Sequence, residues 1–131
     1  METLRLEIVT PDGQIFANNV KSVTLPGSEG EFGVLPHHAS LVSLLKTGVI
    51  DIELANGEHE VVAIDWGHAE VDEEKVTILA DGAVAIVGEN DSEIAKSIDR
   101  AKKLIESMSD SDIAIAMAES KIDAILKHKK Y

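Results

Sequence analysis

From Glu2 to Val87 the apolar positions recur every second residue. Eight short runs carry the pattern: LRLEIV, QIFA, NVKSVTL, VIDIELA, HEVVAID, HAEVD, KVTILA and AVAIV. They are rich in Val, Ile and Thr, the composition of half-buried strands. Pro11-Asp12-Gly13, Pro26-Gly27, Asn56-Gly57 and Asp81-Gly82 read as turns between them. Asn-Gly between alternating runs is a hairpin signal, so 48–54 is expected to pair with 59–65. Short strands at this spacing need two facing sheets to hide their inner surfaces. The pattern therefore predicts an all-β antiparallel sandwich.

At Gly88 the period changes to that of a helix. Asn90 followed by Glu93 is a capping signal. Ile94, Ile98, Ala101, Ile105 and Met108 then trace one helical stripe. SMSDSD, residues 107–112, interrupts it with turn-favouring side chains, and Ile115, Ala118, Ile122 and Ile125 resume it. The basic run KHKK suits the negative end of a helix dipole. The pattern predicts a sandwich over residues 1–88 and an antiparallel helical hairpin over 89–131. Two short helices, the second rich in alanine, bury too little apolar surface to stand alone. They are expected to lean on another surface and to dock reversibly.

Charge narrows the partner classes. Residues 1–90 hold 16 acidic and 4 basic residues, a net of −12, whereas 91–131 hold 8 of each. A nucleic-acid partner is disfavoured, because phosphate binding needs clustered Lys and Arg, and an anionic lipid surface is disfavoured likewise. A basic protein surface fits better. No apolar run approaches the roughly 20 residues of a membrane span, and the N-terminus lacks the basic and apolar regions of a signal peptide. Without Cys there is no disulfide framework or thiolate metal site.

The stretch Leu25 to Ile52, LPGSEGEFGVLPHHASLVSLLKTGVIDI, has the texture of a site. Gly27, Gly30 and Gly33 suggest a phosphate loop, but the required lysine and following helix are missing, and Glu29 and Glu31 would repel phosphate. A turn-rich loop with positive-φ glycines is the plainer reading. His37 and His38 are adjacent, so on extended backbone they face opposite ways, and His59, His68 and His128 are scattered. No metal site is expected. There is no GxSxG motif, and Asp72-Glu73-Glu74 reads as a solvated turn. Trp66, the single tryptophan, reads as packing, with partner anchoring as the other use of a lone aromatic at a strand end. The residues offer no catalytic constellation.

The segment PGSEGEFGVLPHHASLVSLLKTGVIDI resembles the epsilon subunits of F-type ATP synthases, called delta in mitochondria. It follows their pattern of PG, a glycine, G-x-L-P-x-H-A, a leucine and a later glycine, and the likeness extends to LRLEIVTPDG and the helical tail. The resemblance implies a ten-stranded sandwich with two C-terminal helices, placed in the rotor's central stalk, non-catalytic and without a cofactor. It implies that Ser28, Glu29, Gly30, Glu31 and Phe32 face the membrane rotor ring, and that His38, Ala39 and Leu41 lie near the gamma subunit. It implies that the helices inhibit ATP hydrolysis when extended, with Lys121, Lys127, Lys129 and Lys130 meeting the catalytic alpha and beta subunits. The implied location is the cytoplasmic face of the bacterial inner membrane, as a peripheral subunit.

Some relatives bind ATP on the hairpin through Ile-Asp, two spacers and Arg-Ala. Arg100-Ala101 fits that pattern, but Ser97 stands where the pattern has Asp, and residues 112–131 contain no arginine. Lysine lacks the planar fork that holds a phosphate bidentately, so tight ATP binding is not expected. A nucleotide-sensing module binding ATP on the hairpin is the alternative reading.

Overall fold

A computed structural model describes residues 2–109 and 111–127. Nine strands and two helices follow in chain order: β1 (Leu4–Thr10), β2 (Gly13–Gly27), β3 (Gly30–Val34), β4 (Leu41–Leu45), β5 (Gly48–Leu54), β6 (His59–Ile64), β7 (Gly67–Val71), β8 (Lys75–Ala80), β9 (Ala83–Ala85), α1 (Asp91–Met108) and α2 (Asp112–Lys127). The strand order is β1-β8-β7-β4-β2-β5-β6-β9, with β1 also pairing β2 and β3 pairing the end of β2.

The long strand β2 joins the two layers. Its first half pairs with β1, from Thr10↔Gly13 to Leu4↔Val20, and its second half pairs with β5 and β3. One layer is β1-β8-β7-β4, the other β2-β5-β6-β9. Their inner faces meet in one apolar cluster that includes Leu6, Ile8, Val23, Leu25, Ile50, Ile52, Val62, Ile64, Val76 and Ile78. Alternation puts every second residue of these strands into that core, as period-two burial requires.

The expected hairpin across Asn56-Gly57 is present, with Gly48↔Ile64 through Glu53↔His59 in register. Five details differ from the sequence expectation: GEFGV, read as part of a loop, is strand β3, and four others follow. QIFA and NVKSVTL form one 15-residue strand, β2. Pro26-Gly27 lies inside β2, because both residues pair with β3. LVSLL is a strand, β4, whose near-continuous apolar run hid its alternation. The sheet is mixed, since β1 and β8 run parallel from Arg5↔Lys75 to Val9↔Leu79. They lie far apart in the chain, so no hairpin constrains their direction.

The helices start, and α1 stops, as the sequence indicates; the rest of the KHKK run beyond Lys127 lies outside the described residues. Asn90 Oδ1 accepts a bond from the Glu93 amide at 2.9 Å, and Glu93 reaches back to the Glu89 amide at 3.4 Å. The Ser109 amide closes α1 on the Ile105 carbonyl, and the Ser111 hydroxyl accepts from the Ala114 amide at the start of α2. Such caps satisfy amides that a helix start leaves without partners.

Both helices pack on the outer face of β5, β6 and β9. Val49, Val61, Ala63 and Ile86 form a second cluster there with Ala101, Ile105, Ile122 and Leu126. This explains why β6 reads VVAI without alternation: Val62 and Ile64 face the sandwich core, Val61 and Ala63 the helices. Within the α1 stripe, Met108 is exposed, whereas Ser97 is fully buried with its hydroxyl donating to the Ile94 carbonyl at 2.9 Å. Returning that hydroxyl to its own helix is the usual way to bury a helical serine.

Candidate functional site

The glycine-rich segment is the tip of the β2–β3 hairpin. Gly27↔Gly30, Pro26↔Glu31 and Leu25↔Phe32 are paired, leaving Ser28 and Glu29 as the turn. Gly30 has φ +129°, a conformation that suits glycine, and a Cβ on Gly27 would lie 2.6 Å from the Gly30 carbonyl oxygen. Gly33 has no positive φ, so the expectation of three such glycines holds at Gly30 alone. The tip is tied to β4 by Ser28 N–H donating to Leu44 O and Lys46 N–H donating to Pro26 O, each at 2.9 Å. Ser28, Glu29 and Glu31 are exposed, while Phe32 is half-buried and packs against the sandwich core.

The two histidines part company. His37 takes φ 69°, its amide donates to the Glu73 carbonyl, and its ring lies 3.2 Å from Glu2. The His38 ring makes a different contact, with Nδ1 donating to the Ala39 carbonyl at 2.7 Å. Among the described residues, no group of three His, Asp or Glu side chains could hold a metal ion.

Leu41 turns inward against the core, and the same alternation sends Val42 and Leu44 outward, 74% and 67% exposed. Opposite them on β7 lie Glu70 and His68, and beyond His68 on β8 lies Leu79. At the end of this face Trp66 is 53% exposed. It borders a shallow hollow with Val9, Pro11, His68 and Leu79. Asp65 holds the corner: buried, its Oδ1 accepts from the Trp66 amide at 2.6 Å and the Gly82 amide at 2.8 Å. Trp66 is thus a surface aromatic and not a packing residue. Val42, Leu44 and Leu79 went unnoticed in the sequence, where LVSLL offered only its phase as a signal. On β1, Glu7 is held below the usual carboxylate range by Lys75 first and Arg5 second.

On the helices, Lys121 donates to the Glu31 carboxylate, joining α2 to the hairpin tip. Lys102 pairs with Asp123 across the two helices at 3.2 Å. Beside them Glu119 is pushed above the usual carboxylate range, chiefly by the Glu106 carboxyl and then by burial. One Glu119 oxygen, Oε2, is buried without a hydrogen-bond partner among the described residues.

Arg100 is exposed, whereas Ala101 is sealed in the helix–sheet cluster. Lys127 is the last residue of α2, and Lys129 and Lys130 lie outside the described residues. Among the described residues no helix is long and apolar enough to cross a membrane.

The molecule presents an acidic hairpin tip, an exposed apolar face and a pair of helices docked on the opposite face. Comparison with known proteins agrees in fold and extent. The family model described as ATP synthase, Delta/Epsilon chain, beta-sandwich domain matches residues 3–86. An ATP synthase epsilon chain of Campylobacter curvus is 59% identical over 97% of this chain and 98% of its own length. One from Sulfurovum is 60% identical over 97% and 98%. Among solved structures, a chain of the Euglena gracilis mitochondrial ATP synthase, in an assembly described as OSCP/F1/c-ring, superposes with TM-score 0.63. Its identity is 25%, covering 95% of this chain and 81% of that one. With a sandwich matched by the family model and relatives that match along nearly its whole length, this chain belongs to the ATP synthase delta/epsilon family.

Proposed function

We propose that this chain is a non-catalytic central-stalk subunit of an F-type ATP synthase, coupling ion-driven rotation of the membrane ring to ATP synthesis and restraining ATP hydrolysis through its helices. The observation that carries this reading is the match to epsilon chains through the sandwich and the helical hairpin together. In this reading residues 1–88 are the rigid contact body and residues 89–131 the movable regulatory arm. The separate clusters inside the sandwich and beneath the helices support that division.

The hairpin tip of Ser28, Glu29, Gly30, Glu31 and Phe32 faces basic loops of the ring. Gamma docks on the segment His38, Ala39 and Leu41 and on the adjoining face of Val42, Leu44, Leu79 and Trp66. Large apolar side chains exposed together on one sheet face are a usual mark of a protein interface. When the arm extends, Lys121, Lys127, Lys129 and Lys130 meet the catalytic subunits. The assembly sits peripherally on the cytoplasmic face of the bacterial inner membrane.

Pull-down from membranes with the full chain tests the reading: gamma and the ring subunit should co-purify. A chain ending at Gly88 should still bind them and should raise ATP hydrolysis by the assembled complex. Failure to capture gamma would refute the stalk assignment. Unchanged hydrolysis on truncation would remove the brake and leave the coupling role.

A further inference from the structure

The pairing of Lys121 with Glu31 brings together two residues that the proposed function assigns to different partners. They stand 90 positions apart in the chain. Helix α2 lies over β5 and β6 through Ile122 and Leu126, and β5 borders β2, whose end carries β3. Lys121 precedes the buried Ile122 by one residue, so it leaves the helix at its flank and reaches the β2–β3 tip. Its side chain is 24% exposed, while that of Glu31 is 55% exposed and open to an incoming cation.

We infer that Glu31 and Lys121 form a latch that makes engagement of the hairpin tip by a cationic polypeptide loop and docking of the helical arm mutually competitive. The inference rests on the reading of the tip as a partner-facing surface. With the arm docked, the Lys121 ammonium occupies the Glu31 carboxylate and lowers the negative field of the tip. A basic loop arriving at Glu31 displaces that attraction and sets a like charge beside Lys121. Departure of α2 restores the full charge of Glu31 and releases Lys121 for another acidic partner. Linkage makes the two effects equal: whatever factor the docked arm removes from affinity at the tip, the bound loop removes from docking. An exposed ion pair supports a factor of roughly two to five, enough to bias a balanced equilibrium and too little to lock it.

Hydrogen exchange on the full chain without partners reads the latch directly. Glu31→Gln and Lys121→Gln should each speed exchange in residues 112–127 by about two- to fivefold, with the double variant no faster than either. The charge-swapped pair, Glu31→Lys with Lys121→Glu, should restore protection. Additive single effects, or none, would overturn the latch. Binding to an isolated gamma–ring subcomplex then tests the competition. Lys121→Gln should bind about two- to fivefold tighter than the unaltered chain, and Glu31→Gln more weakly. If Glu31→Gln weakens binding while Lys121→Gln leaves it unchanged, the latch falls and the tip reading stands. If Glu31→Gln binds as the unaltered chain does, the tip reading falls and the competition falls with it.

Discussion

The sandwich has two outer faces with the same kind of strands and opposite fates. On the β5–β6–β9 face, Val49, Val61, Ala63 and Ile86 lie under the chain's own helices. On the β4–β7–β8 face, Val42, Leu44 and Leu79 lie bare, with Trp66 at the end. Apolar residues on the outside of a sheet call for cover, because each one left in water forfeits the gain of burial. The chain covers one face itself and leaves the other exposed. The helices over the covered face also hold a polar contact between themselves, Lys102 with Asp123.

The largest expected effect comes from loosening that cover. Ile105→Ala or Ile122→Ala removes fully buried methyl groups beneath the helices and should cost the docked arm about 2–5 kcal/mol. Hydrogen exchange should rise across residues 91–127 and leave the strands of the sandwich core protected. Uniform loss of protection throughout the chain would show that the two clusters unfold as one and would dissolve the contrast between the faces. On the bare face, the pair Leu44→Glu and Trp66→Ala should change stability by no more than about 0.5 kcal/mol each. The same pair should cost about 2 kcal/mol or more in binding to gamma, measured by titration calorimetry. A severe loss of stability in the isolated chain would mean that this face is structural.

At the hairpin tip, Gly30→Ala imposes a side chain on φ +129° and should destabilise by about 1 kcal/mol in urea denaturation. The smallest effect concerns Glu106 and Glu119. Glu119 sits above its ordinary value near 4.5, so the folded arm holds a proton more tightly than the unfolded chain. Its contribution to docking is therefore complete below that ordinary value and is lost as pH rises through the raised one. Lys102 opposes this shift and Asp123 adds to it. Glu119→Gln should strengthen docking at neutral pH by about 0.5 kcal/mol and flatten the pH dependence of exchange in α2. An unchanged pH profile in that variant would place the titrating group elsewhere.

Much of this architecture was readable in advance. The Asn56-Gly57 hairpin, the Asn90 cap, the end of α1 at Met108 and the two helices each follow from local chemistry within a few residues. The misread elements share a cause. Pro26-Gly27 has the composition of a turn but sits in a long strand, because the close approach of Gly30 and the Phe32 ring demands a residue without a side chain. LVSLL conceals its phase because Leu45 is needed inside and Leu44 lies outside. Ser97 stands where the nucleotide motif has Asp, and its small side chain, with the hydroxyl satisfied by the Ile94 carbonyl, lets α1 lie against the sheet.

Local pattern therefore settled most of the strand segments, where the helices begin, and that the chain holds a sandwich followed by a helical pair. Those properties depend on neighbours a few positions apart. Which outer face receives the helices, that β1 and β8 run parallel, and that Lys121 meets Glu31 all depend on contacts between distant segments. Such contacts arise from the joint fit of whole surfaces, and no short window of residues contains that fit.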